Sequence, residues 1–186
     1  MEKSKLERFI SKYNIGGACE SVKFVSNGTE MSVRSISDDK NVLAEIISHD
    51  MSFPAGEFSI YETKKLPPMD IEIVLDEKFV NTFARAKGAL SEVDTFTVTS
   101  DGTDATVVIG YSTLNTNRVN IKTTTKSNVK IDPISFSANY LKEVLMSNKE
   151  IKDGVLKVSS KGIAVAEFDG EGFTSKYYLV QIDTKD

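Results

Sequence analysis

Apolar and polar residues alternate in short runs along most of the chain. Val22–Ser26, Met31–Ser37, Val42–Ser48, Thr95–Thr99, Ala105–Tyr111, Arg118–Thr125, Val155–Ser160, Ile163–Phe168 and Ser175–Ile182 are rich in Val, Ile, Thr, Phe and Tyr and predict strands. Between them lie turn dipeptides: Asn27-Gly28, Asp38-Asp39, Asp101-Gly102, Asp153-Gly154, Lys161-Gly162 and Asp169-Gly170. Three stretches switch to a period of 3.6. Leu6, Phe9, Ile10 and Tyr13 form one stripe, and Phe79, Val80, Phe83, Ala86 and Leu90 form a second behind the helix-start signal Asp76-Glu77. Tyr140, Leu141, Val144 and Leu145 form a third behind a Ser137 N-cap. Gly16-Gly17 and Gly88 sit where these helices should fray or stop.

The order of the elements says more than their number. Strand Met69–Leu75, a helix and three strands are followed by strand Ile134–Phe136, a helix and three strands. The opening helix and its three strands repeat the pattern, which is conserved in arrangement and not in residue identity. A further copy begins at Phe58-Ser59-Ile60-Tyr61 and should enter a helix at Glu62–Leu66, but Pro67-Pro68 stops it. The predicted class is α+β: repeated β-α-β-β-β units, antiparallel sheets on the outside and helices on one face. Residues 1–66 form an incomplete first domain, and residues 67–186 a complete second one.

Charge follows the same division. Of a formal net charge of −4, the three helical stretches carry +4 and the remainder −8. Lys5, Arg8 and Lys12 lie opposite the first apolar stripe, and Lys78, Asn81 and Arg85 opposite the second. Asn139, Lys142, Met146 and Lys149 lie on or near the wet face of the third. For a single amphipathic helix, solvation alone explains such charge. Segregation over all three suits a surface that meets phosphates while acid elsewhere suppresses loose association. No aromatic residues interleave with these cations to stack single-stranded bases, and no Arg/Asn/Gln pattern suits base edges, so contact with duplex regardless of sequence is expected.

Candidate catalytic chemistry is sparse. The single histidine, His49, lacks a nucleophile motif around His49-Asp50 and reads as a solvated turn residue, and the single cysteine, Cys19, reads as a small packed thiol. Asp101-Gly102-Thr103-Asp104 and Asp169-Gly170-Glu171-Gly172 lack the ligand alternation of calcium loops and read as hairpin turns. No phosphate-cradling Gly-rich loop is present. No apolar run approaches the roughly 20 residues that span a bilayer, and no signal peptide is visible at Met1–Lys5. The expectation is an intracellular, non-enzymatic binding scaffold without cofactor or metal.

Several stretches carry a family resemblance: Lys5-Leu6-Glu7-Arg8-Phe9-Ile10, Phe58 through Leu66, Met69-Asp70-Ile71-Glu72-Ile73, and Ala166 through Glu171 with Tyr177-Tyr178-Leu179-Val180. The chain resembles DNA polymerase sliding clamps, most nearly those of T-even-type bacteriophages, fold relatives of proliferating cell nuclear antigen. The resemblance implies a processivity factor that encircles duplex DNA as a head-to-tail homotrimer and tethers the replicative polymerase after a clamp loader places it. It implies that Lys5, Arg8, Lys12, Lys78, Arg85, Lys142 and Lys149 face DNA, and that Leu66, Pro67, Pro68, Tyr178 and Val180 receive partner peptides. It also implies that the strand bearing Arg118, Asn120 and Lys122 meets a neighbouring subunit, in the cytoplasm of a bacterial host. One departure is plain: about one helix and three strands of the usual first domain are missing after Leu66. The alternative is a clamp-like adaptor that binds partner peptides and never closes a ring.

Overall fold

The computed structural model describes residues 3–19, 22–49, 66–112, 117–127, 129–151, 154–170 and 172–183. The expected strand Phe58–Tyr61 and the following helix start lie outside them.

Helix α1 spans Lys3–Asn14 and buries Phe9. It ends where the chain turns left-handed, at Gly16 (φ 64°) and Gly17 (φ 93°), a conformation that costs glycine least. Strands β1 (Val22–Ser26), β2 (Met31–Ile36) and β3 (Val42–Ser48) complete the first unit as an antiparallel meander. In the second unit, β4 (Ile71–Leu75) leads into α2 (Glu77–Ala89) and then β5 (Thr95–Ser100), β6 (Ala105–Ile109) and β7 (Val119–Lys122). Asp76 caps α2 by accepting the Phe79 amide at 2.7 Å. The short strand β8 (Thr125–Ser127) follows. In the third unit, β9 (Ile131–Ser137) leads into α3 (Ala138–Ser147), capped by the Ser137 hydroxyl on the Tyr140 amide. Strands β10 (Gly154–Ser159), β11 (Ile163–Gly170) and β12 (Phe173–Val180) close it.

The strands form two sheets. One runs β1-β2-β3-β12-β11-β10-β4-β8 and the other β7-β6-β5-β9. Units two and three exchange their leading strands: β4 pairs with β10, and β9 pairs with β5. The first unit joins the third through β3 and β12, so one eight-stranded sheet crosses the expected boundary between the domains.

Alternate residues of β2, β3, β4 and β12 are buried, which turns one face of this sheet inward against the helices. Val33, Ile46, Ile73, Leu156 and Tyr177 lie on it at 0% exposure. Under the second sheet, Phe83 meets Phe96 edge-on and Phe96 meets Phe136, both at 5.6 Å between ring centres.

Three expectations shift in detail. The stretch Arg118–Thr125 is two strands in two different sheets, because the chain leaves β6 after Lys122 and pairs with β4 from Thr125. The strand before α3 starts at Ile131 and passes through Pro133, which is compatible with its place at the end of the four-stranded sheet. Helix α2 continues through Gly88 to Ala89.

Candidate nucleic-acid interface

Helix α3 packs against both α1 and α2, and each helix also packs on the strands behind it. The helices thus form one contiguous layer on the inner side of the sheets. On α2, spacings of three and four residues put Lys78, Asn81, Thr82 and Arg85 on one stripe, and all four are exposed. On α3 Lys142 is half-buried, and Lys149 is exposed just past the helix end. No carboxylate among the described residues pairs with Lys78, Arg85, Lys142 or Lys149.

The outer face of the large sheet treats its charges differently. Arg34 donates to Glu45 at 2.6 Å, Lys157 to Glu167 at 2.8 Å, and Lys176 lies 3.4 Å from Glu167. Burial alone would raise the Glu167 pKa, but the Lys157 hydrogen bond and the nearby Lys176 charge outweigh it and hold it low. Arg34, Lys157 and Lys176 on the wall are matched, whereas Lys78, Arg85, Lys142 and Lys149 have no carboxylate partner among the described residues. A polyanion approaching the helix layer therefore meets cations that no described carboxylate neutralises.

Helix α1 departs from the expected pattern. Lys12, expected to face DNA, is completely buried. Its ammonium donates to the Ser147 carbonyl at 3.1 Å and to Asn148 Oδ1 at 3.0 Å, and ion-pairs with Glu150. Lysine has three N–H donors, so all three are committed and none can reach a phosphate. Tyr177 Oη accepts from Asn148 Nδ2 at 2.9 Å and donates to the Lys12 carbonyl at 3.1 Å, closing the network. Burial pushes the Tyr177 phenol well above its ordinary range. Arg8 is half-buried, with its guanidinium 5.4 Å from the centre of the Phe173 ring and Nε 3.9 Å from Glu150. Lys5 is half-buried as well. Arg8 and Lys12 dock the first unit on the third; Lys12 belongs to the interior and not to a phosphate-facing set. Nothing in spacing alone could separate Lys12 from Lys78, because its acceptors lie about 135 residues away in sequence.

The residues expected to receive peptides divide. Tyr178 and Val180 sit on the outer face of β12, and Val180 is 47% exposed. The register places Leu43 beside Tyr178 and Ile36 beside Leu43, so Ile36 (50% exposed) and Leu43 extend the same apolar patch. Neither was expected, since cross-strand register is not written in local alternation. Burial, and then the Glu45 charge, raise the Tyr178 pKa. Leu66 is exposed on the segment that enters β4, with Pro67 half-buried and Pro68 exposed. Arg118, just before β7, and Asn120 and Lys122 on it are exposed; β7 is an end strand of the four-stranded sheet.

His49 is exposed but bonded: Nδ1 lies 2.7 Å from Glu30 Oε1 and Nε2 lies 2.9 Å from Thr174 Oγ1. Cys19 is buried, and desolvation raises its pKa, as expected of a packed thiol. Among the described residues no cluster of three His, Cys, Asp or Glu could hold a metal. No helix of theirs is long and apolar enough to cross a membrane.

No protein-family model and no curated protein sequence matches the chain. Solved structures do. The crystal structure of Proliferating Cellular Nuclear Antigen from Entamoeba histolytica superposes with a TM-score of 0.50 at 16% identity, over 83% of this chain. The chain spans 64% of the length of that structure. The architecture is the sliding-clamp fold.

Proposed function

We propose that this chain is a non-catalytic sliding-clamp module that holds duplex DNA without reading its sequence and tethers a replicative polymerase. The observation that carries the proposal is the charge contrast: Lys78, Arg85, Lys142 and Lys149 are without carboxylate partners among the described residues, on one helix layer. On the wall behind that layer, Arg34, Lys157 and Lys176 each pair with a carboxylate.

Lysines and arginines spread over helix faces meet phosphate oxygens at any register, so they hold the backbone while letting it translate. No group in this account makes or breaks a covalent bond. In this reading the protein is phage-encoded and works in the cytoplasm of a bacterial host. A clamp loader delivers it, and the patch Ile36-Leu43-Tyr178-Val180 receives apolar side chains of short polymerase and loader segments.

The test is duplex binding by fluorescence anisotropy at several salt concentrations, comparing the chain with Lys78→Glu/Arg85→Glu/Lys142→Glu. Three lost phosphate contacts should flatten the slope of log K against log salt by about 3. Binding with an unchanged slope would remove the helix face from the mechanism.

A second reading, a clamp-like adaptor that never encircles DNA, is favoured by one observation: Arg8 and Lys12 of α1 serve its docking on the end of α3 and the residues just after it. Retention on circular but not linearised duplex separates the two, since only a topological clamp is lost through free ends.

A further inference from the structure

The seam between units one and three ends in a row of four polar side chains on the outer face of the large sheet. Strands β3 and β12 pair from Val42 and Leu179 to Ser48 and Phe173, and the His49 amide extends the pairing by donating to the Gly172 carbonyl at 3.0 Å. The register of β2 and β3 runs to Met31 opposite Ser48, so Glu30 and His49 are the next facing pair. Thr174 opposes Ile47, which makes it the diagonal neighbour of His49, and on its other side it opposes Asp169 of β11. Alternation puts all four on the face opposite the buried Met31, Ser48, Phe168 and Phe173.

The four side chains are hydrogen-bonded in series. Glu30 Oε1 lies 2.7 Å from His49 Nδ1, His49 Nε2 lies 2.9 Å from Thr174 Oγ1, and the Thr174 hydroxyl donates to Asp169 Oδ1 at 3.1 Å. The Glu30 end is held by its turn, where its amide donates to Asn27 Oδ1 at 2.8 Å and its carbonyl accepts from the Asn27 amide. The described charges in the next row along this face are engaged with one another: Glu45 with Arg34, and Lys176 with Glu167.

Three hydrogen bonds need three hydrogens. The ionised carboxylates at both ends only accept, and the Thr174 hydroxyl supplies one hydrogen. A neutral imidazole supplies one more, so one of the three contacts then sets lone pair against lone pair and must open. An imidazolium supplies two, and all three bonds form together with the positive ring between two carboxylates.

We infer that His49 is a proton-dependent tie between units one and three. Protonated, it joins the β1–β2 turn of unit one to the β11–β12 hairpin of unit three; on losing its proton it releases one of these links. The charged form holds tighter, so its contribution is present on the acid side of the imidazole titration and is lost as pH rises through it. This does not rest on the DNA reading, and its test contains no DNA.

His49 is the single histidine of the chain, so no second imidazole titrates in the same range. The experiment compares thermal melts of the parent and His49→Gln at pH 5.5 and pH 8.0. Glutamine keeps a donor and an acceptor and is uncharged at both. The parent should melt above the variant at pH 5.5, and the gap should shrink by about 2 °C at pH 8.0, the scale of an exposed ion pair in a chain of this length. Hydrogen exchange, corrected for its intrinsic pH dependence, should show the same sign at the Glu30 and His49 amides. In a Glu30→Gln/Asp169→Asn background, which removes both terminal charges, the effect of His49→Gln should be equal at the two pH values. Thr174→Val should reduce the pH-dependent part, because only the Glu30 contact remains. A gap equal at both pH values or larger at pH 8.0 would overturn the inference. So would a pH-dependent gap that persists without the two carboxylates, or one that Thr174→Val leaves unchanged.

Discussion

Replacing Lys12 by methionine keeps an unbranched apolar stem and removes the terminal ammonium with its charge and its three donors. In the parent, the ammonium holds the Ser147 carbonyl and Asn148 Oδ1 at 3.1 and 3.0 Å in an environment with no solvent access to the lysine. Each of these two acceptors, left without its donor, costs about 1–3 kcal/mol, and hydrogen bonds from a charged donor stand at the upper part of that range. Glu150 retains 25% side-chain exposure and can rehydrate, so its lost ion pair adds little beyond this. The methionine side chain returns some apolar burial. The expected loss is about 3 kcal/mol, which for a chain of this size lowers Tm by roughly 6–12 °C. Urea denaturation followed by circular dichroism measures it. Lys12→Met/Glu150→Gln should be less than additive, since both changes remove one shared interaction. Duplex affinity of the folded variant should keep the parent salt slope. A loss within about 0.5 kcal/mol, the range of ordinary surface changes, would refute the assignment of Lys12 to the interior; so would a flattened salt slope.

Three further outcomes are expected. Asp76→Ala removes the carboxylate that accepts the Phe79 amide and should cost about 1 kcal/mol by thermal melting, with Asp76→Asn recovering most of it. Gly110 stands at φ 82° with the Asn117 carbonyl oxygen against the place where a Cβ would project, so Gly110→Ala should cost more than about 1 kcal/mol in urea. Glu167 has a folded-state pKa below its ordinary value, so its contribution is full above the ordinary glutamate range and is lost as pH falls through the lowered value. Melts from pH 6 to pH 3 should therefore show a smaller acid-side loss for Lys157→Met than for the parent, because that variant has already lost the hydrogen bond.

Local chemistry made the helices legible. The stripes at Phe9, Phe79/Phe83 and Leu141/Val144/Leu145 became buried faces, and Asp76 and Ser137 became caps, because periodicity and capping are short-range properties. The repeated unit was legible from element order, and its exchange of leading strands between units two and three was not, since pairing partners are set across tens of residues. The same limit hid the apolar neighbours Ile36 and Leu43 and the interior role of Lys12. A helical wheel separates polar from apolar positions but does not reveal a polar partner brought from another unit. Lys87 makes the same point within α2: it is buried and donates to the Ser91 carbonyl at 2.7 Å, past the helix end.

Lysine acetylation footprinting with and without duplex DNA tests the central assignment most directly. Duplex should protect Lys78, Lys142 and Lys149 and leave the outer-face Lys157 and Lys176 unchanged, with Lys12 unreactive in both states. Protection confined to Lys157 and Lys176, or no protection at Lys78 and Lys142 under conditions where duplex is bound, would contradict it.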